Sequence, residues 1–118
     1  MSLLPQILSL RKQANAATLH LLISKDLAYF RGHFPGLPIL PGVVQIDWAI
    51  RFAGEYLGIP VDRFTGMKAL KFSAPIQPDS RLTLELRWRP DAYRLEFTYF
   101  AESRKYSSGQ MLFSEAPA

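Results

Sequence analysis

A chain of 118 residues that is 48% hydrophobic, 13% aromatic and 20% charged has apolar material for one core and no length for a second domain, which excludes both a two-domain enzyme and a disordered chain. It has no cysteine, hence no disulfide framework, thiolate nucleophile or cysteine-ligated zinc, and two histidines do not make a dedicated metal centre, so no metal is expected and the reducing cytoplasm is the compartment that fits. Fourteen Lys and Arg against ten Asp and Glu give a net charge of +4, which favours anionic partners without choosing among them.

Residues 1–15 begin apolar, but Pro5 breaks the run and the basic pair Arg11 and Lys12 follows it, the reverse of a secretory signal. A mobile or docking N-terminal segment is expected, and no stretch of the chain approaches the roughly 20 apolar residues of a membrane span. Residues 17–23 read as a strand, with Leu19, Leu21 and Ile23 on one face and His20 on the other, where an exposed or rim position is expected. Pro41 and Gly42 open a helix over residues 42–57, and Gly58 and Pro60 close it. Apolar residues cover most of its circumference and charge is confined to a stripe of Asp47, Arg51 and Glu55, so the helix should be largely enclosed. Residues 67–73 form a short strand. Residues 81–89 alternate strictly, with Leu82, Leu84, Leu86 and Trp88 facing one way, and residues 93–102 alternate again with Tyr93, Leu95, Phe97 and Tyr99 inward, so the two should pair across Pro90, Asp91 and Ala92. Residues 106–113 supply the last strand. One mostly apolar helix with five or more antiparallel strands predicts a single α+β domain over 1–118, a sheet wrapped around a central helix.

The chemistry concentrates between Phe30 and Asp47. Three prolines and three glycines between Gly32 and Gly42 fix a loop through φ restrictions, and that loop carries His33, the side-chain type that titrates near neutrality. It leads into the helix start, where the unpaired amides of Gly42 and Val43 and the helix dipole point at whatever enters. A base at His33 suits removal of an α-proton from a thioester, a Gly42 amide suits the charge growing on the carbonyl oxygen, and Asp47 suits the proton of a β-hydroxyl, with loss of water as the result. Such groups need neither metal nor organic cofactor.

The run Gly32, His33, Phe34, Pro35, Gly36, followed by Pro38, Pro41, Gly42, Val43 and an acid fourteen residues after the histidine, resembles the hotdog-fold 3-hydroxyacyl-acyl-carrier-protein dehydratases of fatty acid synthesis. The likeness extends through residues 72–79 and covers about residues 16–114. It implies a hotdog fold; dehydration of a (3R)-3-hydroxyacyl thioester to the trans-2-enoyl thioester by a hydro-lyase; His33 and Asp47 facing each other across a homodimer interface; and a substrate delivered on the phosphopantetheine arm of an acyl carrier protein or as an acyl-CoA. The helix from Val43 to Ala49 also looks like that of small dehydratases associated with aryl-polyene pathways. Where the family commonly has glutamine four residues after the acid, this chain has Arg51, which favours the ionised carboxylate and opposes a proton-donor role for Asp47. Phe34 and Trp48 are candidates for an acyl channel, although aromatic residues on an enclosed helix are usually core. Two other readings stand beside this one: a catalytically silent hotdog subunit that binds acyl chains or supports an active partner, and a thioesterase on the same fold. The basic excess suits an acidic carrier better than nucleic acid, because Glu85 and Glu96 interrupt the arginines and no nucleic-acid motif is evident.

Overall fold

The computed structural model describes residues 3–30 and 38–115. Six antiparallel strands form one sheet: β1 (Gln6–Gln13), β2 (Ala16–Ile23), β3 (Phe64–Phe72), β4 (Ser80–Arg89), β5 (Arg94–Ala101) and β6 (Arg104–Phe113), in the spatial order β1-β2-β4-β5-β6-β3. Among the described residues one α-helix, α1 (Gly42–Leu57), packs against one face. This is the α+β architecture the alternation and the helical run lead one to expect.

Period-2 patterning sets the register. Leu19 lies opposite Leu84, Leu84 opposite Tyr99 and Tyr99 opposite Ser107, so these four side chains form one row across β2, β4, β5 and β6. The next rows hold Ala17, Leu86 and Phe97, then Trp88, Leu95 and Met111. Together with Val44, Trp48, Ala49, Phe52 and Ala53 of α1 they make one core, in which each large apolar side chain contributes about 1.5–3 kcal/mol by leaving water. Gly58 ends the helix in the left-handed region at φ 65, a conformation that a residue without a Cβ adopts freely.

Three features differ from the expectation. The segment expected to be mobile or docking is instead β1 over most of its length, an edge strand paired to β2 from Gln6–Leu22 to Gln13–Ala16. The residues ahead of it are held as well: the buried Trp48 indole N–H donates to the Leu3 carbonyl at 3.1 Å, while the Tyr29 ring meets the indole edge-on at 6.2 Å. Tyr93 is the last turn residue, not the first strand residue, with φ 48, although its ring still packs on Trp88. The helix is enclosed on one side only. Val43 is 73% exposed and shares an open stripe with Asp47, Arg51 and Glu55.

The free edge of β3 carries further exposed apolar side chains, Phe64, Met67 and Phe72. No helix among the described residues is long and apolar enough to cross a membrane.

Candidate active site

The site is built around the start of α1. Pro41 is the N-cap residue, with φ −60 and ψ 145, and no side chain caps the first turn from that position. Val44 N–H and Gln45 N–H turn back to the Pro41 carbonyl at 3.1 and 3.3 Å. The amides of Gly42 and Val43 have no acceptor among the described residues, as expected for the first two positions of a helix. They are the donors that the sequence assigned to a developing oxyanion. The segment before them is pinned by the Leu40 N–H donating to the Ile76 carbonyl at 2.8 Å, with both side chains buried.

Beside this helix start lies a mostly apolar groove of about 360 Å³, lined by Ile39, Leu40, Pro41, Gly42, Gln45 and residues 72–75. Its tight point is where Gly42 meets the Phe72 ring, because a Cβ at Gly42 would stand 2.8 Å from two ring carbons. Glycine here permits the close approach of helix backbone and ring. A larger cleft of about 540 Å³ lies at the opposite end of the sheet, between residues 13–16 and 87–94. It contains arginines but none of the candidate residues, so chemistry rather than size identifies the helix-start groove.

Asp47 does not line the groove. It projects from the open stripe of the helix, where its carboxylate and the Arg51 guanidinium lie 3.7 Å apart, both side chains 57% exposed. A pair that long and that wet is a weak constraint on either group. Trp48 is fully buried core and does not line the groove either. His33 and Phe34 lie outside the described residues. His20 is exposed on the far face of the sheet and bonded through Nδ1 to Thr83 Oγ1 at 3.0 Å, as its strand position implies.

Sequence reasoning missed the polar cluster beneath the helix start. Gln45 is 3% exposed, its Nε2 donates to the Leu40 carbonyl at 3.1 Å, and its Oε1 accepts from Ser107 Oγ at 2.6 Å. Its own carbonyl accepts from the Tyr99 hydroxyl at 2.7 Å. A glutamine two residues past an exposed valine gives no signal of burial; only the pairing of β5 with β6, which sets Tyr99 beside Ser107, creates the polar pocket it fills.

Burial first, and then the negative charge of Asp47, push the Tyr99 phenol well above its ordinary value of 10.0. The folded state therefore holds the proton more tightly than the unfolded chain. That contribution is intact below about pH 10 and is lost as pH rises through the folded-state value. Tyr99→Phe is accordingly expected to flatten the alkaline fall in stability, read from urea unfolding at about pH 8 and about pH 11. An equal alkaline loss in both proteins would contradict it.

Residues 9–110 match the family model of the ApeI-like dehydratases, described as ApeI dehydratase. A 3-hydroxyacyl-[acyl-carrier-protein] dehydratase FabZ from Syntrophobacter fumaroxidans is 30% identical over 95 residues, which cover 71% of this chain and 64% of that protein. The chain thus spans less than two thirds of that relative's length. Among solved structures, the dehydratase heterocomplex ApeI:P from Xenorhabdus doucetiae superposes with a TM-score of 0.87 at 32% identity, over 94% of this chain and 98% of that one. An uncharacterized protein from Erwinia carotovora subsp. atroseptica gives a TM-score of 0.78 at 33% identity, over 94% and 96%. With a dehydratase family model matching residues 9–110 and, among the described residues, one α-helix laid on a six-stranded antiparallel sheet, the chain belongs to the ApeI-like family of hotdog-fold dehydratases.

Proposed function

We propose that the protein converts a (3R)-3-hydroxyacyl thioester to the trans-2-enoyl thioester, in fatty acid or polyene biosynthesis. The observation that carries this reading is the helix start: two amides, at Gly42 and Val43, that have no acceptor among the described residues and open beside an apolar groove in a chain of the dehydratase family. His33 takes the α-proton, and the Gly42 and Val43 amides hold the charge that grows on the thioester oxygen. The carbon–carbon double bond forms as the β-carbon–oxygen bond breaks, and the hydroxyl leaves as water. Asp47 acts on that leaving hydroxyl, by donating a proton or by orienting the water that does. The elimination is redox-neutral and its atoms balance with no cofactor beyond the phosphopantetheine arm that belongs to the substrate.

The acyl group arrives on an acidic acyl carrier protein or as an acyl-CoA, which suits the net charge of +4. The protein works as a homodimer with shared sites. This is supported by the open stripe of Val43 and Asp47 and by the exposed apolar edge of β3, surfaces that a second subunit would cover. The cytoplasm is the compartment this reading implies.

A second reading is favoured by the position of Asp47, whose exposed carboxylate does not line the groove: a silent subunit that supports an active dehydratase. The solved relative from Xenorhabdus doucetiae is itself a heterocomplex. Hydration of an enoyl thioester, followed by loss of its conjugated absorbance, tests both. The dehydratase reading expects turnover by the protein alone. Acyl-carrier binding without turnover would favour the silent subunit, and release of free thiol would identify a thioesterase.

A further inference from the structure

The helix that presents the oxyanion donors has no ordinary N-cap, because Pro41 offers no side-chain acceptor for its first turn. Its place is set from below. One row of the sheet, Tyr99 on β5 and Ser107 on β6, runs under the first turn, and Phe72 on β3, the register partner of Ser107, continues that row to the ring that touches Gly42. Gln45 joins helix to row at two points, through its side-chain oxygen to Ser107 and its main-chain carbonyl to Tyr99. Its side-chain nitrogen reaches back to the Leu40 carbonyl, ahead of Pro41. The chemistry of the partners fixes the orientation of the amide, since a carbonyl only accepts and the nitrogen must face Leu40.

We infer that Gln45, Ser107 and Tyr99 form a positioning device for the reaction, locking the first turn of α1 so that the Gly42 and Val43 amides stay aimed at the thioester oxygen; this rests on the dehydratase reading given above. Three hydrogen bonds of 2.6 to 3.1 Å from two strands and the preceding loop fix the helix start in height and in rotation. Ser107 and Tyr99 are fully buried and Gln45 nearly so, which shields these bonds from competing water. The Tyr99 phenol holds its proton well above the ordinary range, so it remains a donor wherever the enzyme works. Oxyanion stabilisation depends on donors fixed before the charge appears, so a loosened first turn reduces catalysis more than binding.

The test compares Gln45→Met, Ser107→Ala, Tyr99→Phe and the Gln45→Met/Ser107→Ala double variant, each at a temperature where unfolding measurements show it fully folded. Tyr99→Phe removes one oxygen only and keeps the series interpretable if Gln45→Met does not fold. The inference expects kcat to fall about tenfold in Gln45→Met and in Ser107→Ala with KM changed less than about twofold, and the double variant to be no slower than the worse single one. A residue that serves stability alone would lower the unfolding transition and leave kcat of the folded protein unchanged. That result, in a series where His33→Ala is inactive, overturns the inference and leaves the dehydratase reading standing. If the unaltered protein shows no turnover, the dehydratase reading fails by itself. The positioning claim is then decided by the backbone amide resonances of Gly42 and Val43, which must shift in Ser107→Ala and Tyr99→Phe; unmoved resonances overturn it.

Discussion

Replacing His33 by alanine is expected to lower kcat for the interconversion of 3-hydroxyacyl and enoyl thioesters by about 10² to 10⁴-fold, with KM little changed, because the proposed base is removed and the proposed substrate groove is left intact. Its removal leaves no second imidazole to take over, since His20 is on the opposite face of the sheet, bonded to Thr83. His20→Ala is the matching control and should retain full activity. Both flanks of the loop that carries His33 are tied to the body of the protein. On one side the Phe30 N–H donates to the carbonyl of the buried Leu27 at 3.2 Å, and on the other the Leu40 N–H donates to Ile76. In the proposed reaction the imidazole takes the α-proton, so the effect should fall on the proton transfer itself. The measurement is absorbance of the conjugated thioester, followed in both directions. A His33→Ala protein that remains folded and keeps its rate would remove the imidazole from the mechanism.

The sequence was informative wherever one face of an element is buried. The bounds of α1 follow from Pro41 before it and the left-handed Gly58 after it, and β4 and β5 follow from strict alternation that becomes the inward rows of Leu82 to Leu86 and Leu95 to Tyr99. β1 left no such trace because it is an edge strand with nearly every side chain exposed, and alternation is written into a sequence only when one face must avoid water. Its pairing to β2 is made by backbone groups, which composition does not reveal. Asp47 was legible as part of a charged stripe, and the stripe does face outward. Gln45 was not legible as a buried residue. The groups that satisfy it lie on strands 54 and 62 residues further along the chain, at Tyr99 and Ser107, and a helix read by hydropathy alone assigns a glutamine to the polar side.

The outward position of Asp47 leads to the second large effect. A carboxylate that is 57% exposed in the single chain, on the same stripe as the exposed Val43, is not inside a closed site of its own subunit. If the site is completed across a dimer, His33 of one subunit acts with Asp47 of the other. Asp47→Asn preserves shape and removes the charge, and it should slow turnover by about 10²-fold or more, as general acid–base groups do. Mixing it with His33→Ala then separates the two arrangements. In a mixed dimer with shared sites, one site carries both defects and the other carries neither. Random exchange of subunits places half the protein in such dimers, so activity should recover to about a quarter of the unaltered level. Sites contained within one chain would each keep one defect, and mixing would restore nothing. The experiment requires that the subunits be exchanged, by joint refolding or co-expression, and that each variant alone be folded and inactive. Recovery would place the imidazole and the carboxylate in different chains; a mixture as inactive as its parents would put both within one and leave the open stripe of α1 as a surface for another purpose.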